Sequence, residues 1–176
     1  MNRIATVCLS LLLLTPAAPV LAQSAPCSDD AYRQFDFWVG TWQVHANGKI
    51  AGTNTIAKAH GNCVLHEQYD TGAGFTGSSF SLYDRGSGRW HQTWVDSSGL
   101  LLRLDGAFVD GKMVLQGQTL DGDGKPLQHK ISWIPNADGS VQQLWQSRSG
   151  DGDWTTAFDG LYKRIDDTSA EGECSS

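Results

Sequence analysis

Histidine and cysteine side chains at residues 60–66 are the first group in the sequence whose types and spacing are suited to chemistry. His60, Cys63 and His66 are residue types that bind zinc. Cys63 and His66 are three residues apart, however, so on a β-strand their side chains point to opposite faces. We therefore predict no metal site there.

Two acidic, glycine-rich stretches look like calcium loops at first sight. They are "DGDGK" at residues 121–125 and "DGDW" at residues 151–154. An EF-hand loop needs a further ligand and a later glutamate, and neither stretch supplies them. We interpret both as hairpin loops. The sequence also has no nucleophile elbow and no phosphate-binding glycine loop.

Glu67 and His129 remain as candidates for acid–base chemistry, because either can exchange a proton with a ligand in an enclosed interior. Gln92 and Gln143 also lie in runs of alternating apolar and polar residues, on the side that is predicted to face inward. A buried polar group without partners costs on the order of 1–3 kcal/mol. These side chains are therefore either satisfied by one another and by trapped water, or they orient a ligand in a cavity.

The segments that carry these residues are β-strands. After residue 38, alternating apolar and polar runs are separated by Gly, Asp, Asn and Ser, and no stretch keeps apolar residues at helical spacing. We count ten runs. They start near residues 41, 50, 62, 75, 89, 99, 112, 127, 140 and 154.

Three turns assign the faces of these strands. Asp110-Gly111 predicts a two-residue hairpin turn, and the segments 97–99 and 137–139 predict three-residue loops with a left-handed Gly. A two-residue loop at 97–99 would instead place two tryptophans in solvent. The predicted pairs are Phe108–Met113, Trp94–Leu102, Gln92–Leu104, Trp133–Gln143 and Ile131–Trp145.

This register places aromatic and polar side chains together on the inner face. Both parities fit the third strand, and we favour the one with Leu65, Glu67 and Tyr69 inside. For the tryptophans taken alone, core packing is the more common role. The predicted ligand-binding residues are Glu67, Trp90, Gln92, Trp94, His129, Trp133, Gln143, Trp145 and Tyr162.

Ten short strands in neighbour order predict an all-β fold, a ten-stranded antiparallel up-and-down β-barrel, because closure removes unpaired edges. A β-sandwich is the alternative, but it needs longer connections than the sequence offers. Residues 29–38, with Asp29 or Asp30 as a cap, predict a short helical plug. Residues 23–164 form the single predicted domain, and residues 165–176 are predicted to be a disordered tail.

The first 22 residues predict a signal peptide. Arg3 precedes the apolar run 4–14, which is too short to span a bilayer, and small residues lead to Gln23. We expect a periplasmic or secreted protein without membrane insertion.

The charge and the cysteines fit an exported chain. The formal net charge is −6 and becomes −7 when Arg3 is removed, and no basic cluster is present, so nucleic acid is not an expected partner. Cys27, Cys63 and Cys174 would enter an oxidising compartment, where at most one intramolecular disulfide can form. We favour Cys27–Cys63, which would tie the plug to the barrel wall; three free thiols are the alternative.

The aromatic segment "FDFWVGTW" at residues 35–42 and "GLYKR" at residues 160–164 carry a resemblance to the lipocalin and wider calycin superfamily. In that superfamily a G-x-W on the first strand lies under an Arg from the last strand. The resemblance implies that Trp42 and Arg164 stack and close one end of the barrel, a cation–π contact of roughly 1 kcal/mol.

Several segments are also similar to a group of exported bacterial proteins of unassigned function. They are "FDFWVGTW", "GNCVLHEQY", "RWHQTWVD", "VQQLWQS" and "FDGLYKR". This resemblance spans nearly the whole chain after the signal and carries no established reaction. Nitrobindin-like barrels, which hold haem through a His, are more distantly similar, and their haem-ligand motif has no match here.

The leading hypothesis is an exported, lipocalin-like protein that binds a small apolar or amphipathic molecule and needs no cofactor. An isomerase or hydrolase that uses Glu67 or His129 on such a ligand is one alternative. Haem binding through His129 and a purely structural envelope role are the others.

Overall fold

The computed structural model describes residues 25–165. The predicted signal peptide, residues 1–22, and all of the predicted tail except Ile165 lie outside these residues. Among residues 25–165, no helix has the length and apolar character that crossing a membrane requires.

The chain enters the fold through two short 3-10 turns, Asp30–Arg33 and Asp36–Trp38, and residues 29–38 are called the plug below. Asp29 stands at the predicted cap position, but its side chain makes no capping hydrogen bond; its carbonyl oxygen accepts from the Tyr32 amide at 3.0 Å. Ten strands follow: β1 Gly40–Ala46, β2 Lys49–Ala59, β3 Val64–Asp70, β4 Thr76–Asp84, β5 Arg89–Asp96, β6 Leu101–Val109, β7 Lys112–Leu120, β8 Pro126–Pro135, β9 Val141–Ser149 and β10 Thr155–Arg164.

The strands form one closed barrel, as predicted, and the sandwich alternative is wrong. Each strand pairs antiparallel with the next in the chain, and β1 pairs with β10. Closure leaves no strand edge to pair with another chain.

The three turns that were used to assign faces have the predicted register. Asp110 and Gly111 both have positive φ, 50° and 77°, and all five predicted residue pairs are present. The third strand also has the favoured parity, because Leu65 and Glu67 are buried and Tyr69 is partly buried.

The plug fills one end of the barrel with aromatic side chains. Phe35 and Trp38 are fully buried and stack with their ring centroids 4.9 Å apart. The indole of Trp42 on β1 donates to the Trp38 carbonyl at 2.9 Å. A disulfide joins Cys27, just before the plug, to Cys63 in the β2–β3 loop, as predicted.

Trp42 and Arg164 close the same end of the barrel. The guanidinium carbon of Arg164 lies 4.3 Å from the centroid of the Trp42 ring, and Nη1 donates to the Val39 carbonyl at 3.1 Å. A Cβ at position 40 would lie 2.3 Å from that Nη1, so Gly40 leaves room for the guanidinium in the position it occupies here. The predicted stacking contact is therefore present.

Candidate functional site

A cavity of about 280 Å³ lies inside the barrel, toward the end opposite the plug. This open end carries the five loops that join β1 to β2, β3 to β4, β5 to β6, β7 to β8 and β9 to β10. Phe75 and Ala157, which line the cavity, are also exposed, so the cavity opens to solvent there. The lining residues are Glu67, Tyr69, Phe75, Gln92, Trp94, Asp96, Leu102, Ile131, Gln143, Trp145, Ala157, Phe158 and Tyr162.

Most of the predicted ligand-binding residues meet at this cavity. Glu67, Gln92, Gln143 and Tyr162 provide polar groups, and Trp94 and Trp145 are part of the apolar wall. The remaining three, Trp90, His129 and Trp133, are not part of the lining.

Trp90 and Trp133 belong to the core around the plug and do not line the described cavity. Both rings meet Phe35 edge to face, with centroids 5.6 Å and 5.2 Å away, and both are almost completely buried. The Trp90 indole donates to Gln34 Oε1 at 3.0 Å. Both indoles therefore hold the plug in place rather than a ligand.

His129 lies outside the cavity lining, next to Trp145 of the wall, and both of its ring nitrogens have partners. Trp145 Nε1 donates to Nδ1 at 3.1 Å, and the Thr119 hydroxyl lies 2.7 Å from Nε2. Burial lowers the pKa of His129. His129 therefore lies outside the cavity lining with both ring nitrogens engaged, and its predicted acid–base and haem-binding roles stay predictions.

Glu67 is the charged centre of the polar floor. Asn54 on β2 donates to Glu67 Oε1 at 2.7 Å, and Ser79 on β4 donates to Oε2 at 2.5 Å. Gln92 then donates to the hydroxyls of Ser79 and Ser81 at 3.2 Å and 3.1 Å. Four adjacent strands, β2 to β5, thus supply one connected hydrogen-bond network.

Burial raises the pKa of Glu67 from 4.5 to about 7, and the hydrogen bonds from Ser79 and Asn54 offset only part of this effect. The pKa of Tyr162 is raised well above 10, mainly by burial and then by the Glu67 charge. Its hydroxyl donates to Gln143 Oε1. At neutral pH the floor therefore contains one carboxyl group close to its midpoint of ionisation and a neutral phenol.

The wall of the cavity is aromatic because small residues leave room for large rings. A Cβ at position 77 on β4 would lie 2.1 Å from Cζ2 of Trp94, so Gly77 is what allows this indole to lie along the wall. The Trp94 Nε1 donates to Asp96 Oδ2 at 2.9 Å, which fixes the ring near the open end. Phe75 and Phe158 complete the wall.

Three polar residues of the floor, Asn54, Ser79 and Ser81, were not predicted. All three are buried. Asn54 is paired with Trp42 across a register shift in the β1–β2 hairpin, so turn position alone does not give its face. The two serines alternate inward with Gly77 on β4, and this run of small residues is the signal that could have found them.

The described part of the chain contains no cluster of three His, Cys, Asp or Glu side chains arranged to hold a metal ion. At the one spacing that invited a metal, Cys63 is bonded to Cys27 and offers no thiolate.

A second cluster of polar side chains lies outside the barrel. Ser87 Oγ is 3.1 Å from His91 Nε2, and His91 Nδ1 contacts Asp105, which is the order of groups in a serine hydrolase. The nearby amides of Gly86 and Ser87 already donate to the Asp84 carboxylate. Neither is free to stabilise an oxyanion, so we place the functional site in the cavity.

No protein-family model matches the chain, and no curated protein matches it, so the function of this cavity is inferred from its geometry.

Proposed function

We propose that the protein is an exported, lipocalin-like carrier or sensor that binds a small apolar or amphipathic molecule inside the barrel. The observation that carries this proposal is the solvent-reachable cavity, which combines a polar floor at Glu67, Gln92 and Gln143 with an aromatic wall. Ligand sites are usually apolar clefts with a few polar groups that orient the ligand.

The size of the cavity limits the ligand. The cavity volume of about 280 Å³ lies just below the range of roughly 300–1,000 Å³ for small-molecule sites. A single aromatic ring with a short polar side chain suits this space, whereas a long lipid or a porphyrin does not.

Export is part of the proposal. The order of features in residues 1–22 is that of a signal peptide, and the Cys27–Cys63 disulfide is compatible with an oxidising compartment. The resemblance of the sequence to calycin-type and nitrobindin-like barrels supports ligand binding, which for this chain is a proposal.

Blocking the cavity tests the binding function. Ala157 lines the cavity mouth and is exposed, so Ala157→Phe is expected to obstruct the site without overpacking the core. The control is Ala107→Phe on the exposed face of β6. Native mass spectrometry should detect a small molecule with the wild type and the control but not with Ala157→Phe. An empty wild type that also takes up no small aromatic amine, alcohol or acid in calorimetry would overturn the proposal.

A second candidate function, proton transfer to or from the bound ligand, is favoured by one observation: Glu67 lines the cavity with a pKa of about 7. An isomerase that moves a proton between two carbons needs such a group.

Glutamate-selective ¹³C labelling tests this second candidate, because the chain has three glutamates and Glu67 is the single one in the described residues. One carboxyl resonance should titrate near pH 7 and disappear in Glu67→Gln. Titration of all three resonances near pH 4.5 would remove the basis for acid–base catalysis.

A further inference from the structure

We propose that the ligand is a small organic cation, an amine whose ammonium group sits against Glu67 while its apolar body contacts the aromatic wall. This inference rests on the proposed function and deepens it, because it names the chemical class of the ligand.

The charges around the cavity have one sign. Glu67 and Asp96 are the ionisable acids of the lining, and the thirteen lining residues include no Lys, Arg or His. A ligand carboxylate would add another anion without a counter-ion in a partly desolvated space, which is costly. An ammonium group would instead gain from both carboxylates.

Glu67 has hydrogen-bonding capacity left for a ligand. A carboxylate has about four acceptor positions, and the side-chain donors to Glu67 are one from Asn54 and one from Ser79. Both donors are neutral, so the carboxylate charge has no ion-pair partner within the described residues. An ammonium group, with three donors, can supply the missing charge and further hydrogen bonds.

The wall suits the same ligand. Six aromatic rings line the cavity, and the faces of such rings attract cations more strongly when water is excluded. The rings belong to Tyr69, Phe75, Trp94, Trp145, Phe158 and Tyr162.

Asp96 places a permanent negative charge near the mouth. Burial alone would raise its pKa, but hydrogen bonds from Ser98, Trp94 and the backbone outweigh burial and lower the pKa. Asp96 therefore stays ionised at neutral pH and draws cations toward the opening.

Amine binding should depend on pH through Glu67. The groups that face this carboxyl are Asn54 on β2, Tyr69 on β3, Ser79 on β4, Gln92 on β5 and Tyr162 on β10. Of these, only the two tyrosines titrate, and the pKa of each is raised above 10, so both remain neutral. Ionisation of Glu67 near pH 7 is then the step that admits the cation.

Calorimetry with three matched probes tests the inference: 2-phenylethylamine, 2-phenylethanol and 3-phenylpropanoate. They share a phenyl ring and differ in charge. At about pH 8 we expect the amine to bind at least about tenfold more tightly than the alcohol, and the acid to bind more weakly than both.

The variant Glu67→Gln keeps a hydrogen-bonding side chain of similar size and removes the charge. We expect it to bring the amine and the alcohol within about threefold of each other at about pH 8. The control, Asp110→Asn, also removes one negative charge, but in the β6–β7 turn at the plug end, and should keep the wild-type preference.

The wild type alone provides a second measurement that does not depend on the folding of any variant. Between about pH 6 and pH 8, amine affinity should rise about tenfold as Glu67 ionises, while alcohol affinity stays constant.

The outcomes separate the two proposals. Binding of the alcohol or the acid as tightly as the amine, or an amine affinity independent of pH, overturns the cation inference and leaves the binding function intact. If none of the three probes binds at millimolar concentration, the binding function fails and the inference fails with it.

Discussion

Glu67 is a carboxyl group held in a place that disfavours its charge. It is 4 % exposed, its two hydrogen-bond donors are neutral, and its pKa rises to about 7. A group with a raised pKa stabilises the fold below its unfolded pKa, and that stability is lost as the pH rises through the folded pKa. Ionisation of Glu67 inside the barrel therefore lowers the free energy of unfolding.

The pH dependence of unfolding should reveal this cost. Between pH 4.5 and about 7, Glu67 should reduce the free energy of unfolding by roughly 3 kcal/mol. His129 acts in the opposite direction below pH 6.5 because its pKa is lowered, so wild type must be compared with Glu67→Gln.

Urea denaturation measures the effect. Glu67→Gln should be more stable than the wild type at about pH 8 and lose this advantage at about pH 5. Asp110→Asn, an exposed turn substitution, should follow the wild-type profile. Equal pH profiles for wild type and Glu67→Gln would show that Glu67 ionises normally.

Trp94 and Gly77 show how two neighbouring strands build the cavity wall. Because the Trp94 indole occupies the space where a Cβ at position 77 would stand, the two residues are matched across the β4–β5 pair. Any side chain at position 77 would displace the ring from its place in the cavity wall.

Gly77→Ala is therefore expected to weaken binding of small aromatic probes by about tenfold, with a smaller loss of stability, on the order of 1 kcal/mol. Gly122→Ala is the control, because a Cβ there has no atom within 4 Å. Calorimetry and near-ultraviolet circular dichroism of the indoles would measure both effects. Unchanged binding by Gly77→Ala would mean that Trp94 does not shape the ligand site.

The strands and their register could be read from the sequence, because each turn type fixes which residues lie opposite each other. All ten strands begin within two residues of the expected positions. The β1–β2 hairpin shows where such reasoning fails. Its Asn47-Gly48 turn pairs Ala46 with Lys49, but a bulge near Val44 shifts the register by one residue. The shift turns Asn54 inward, and a one-residue shift reverses every face beyond it.

The position of a side chain along the barrel axis could not be predicted from the turns. Trp90 and Trp94 lie on the same face of β5, yet four residues separate them by roughly 13 Å along the strand. One packs on the plug and the other lines the cavity. Alternation gives the face of a side chain but not how far the plug reaches, so the sequence could not show that Trp90, Trp133 and His129 lie away from the cavity lining.

The molecule divides into a closed end and an open end. Plug, disulfide and the Trp42–Arg164 contact lie at one end, and the cavity opens at the other. The contacts that stabilise the fold therefore lie apart from the residues that line the cavity. A substitution at one end should leave the other end unchanged.

Loss of the disulfide tests this separation. Cys27 and Cys63 are 36 residues apart, and releasing such a loop costs about 3–4 kcal/mol in the chain-entropy model. A Cys27→Ala/Cys63→Ala variant should lose about this much stability in urea denaturation, yet keep its affinity for small probes under native conditions.

The reducing agent dithiothreitol should destabilise the wild type in the same way and leave the double variant unchanged. Loss of probe affinity in a double variant that is still folded would show that the two ends are coupled.

The pairing of β1 with β10 also constrains how the chain matures. β1, the first strand in the chain, can complete its pairing only with the last strand, so the barrel cannot close until residues 155–164 have folded. Until then both β1 and β9 present unpaired backbone, a state open to misassembly. Trp42 and Arg164 lie at this last strand pair, so their contact forms only when the barrel closes.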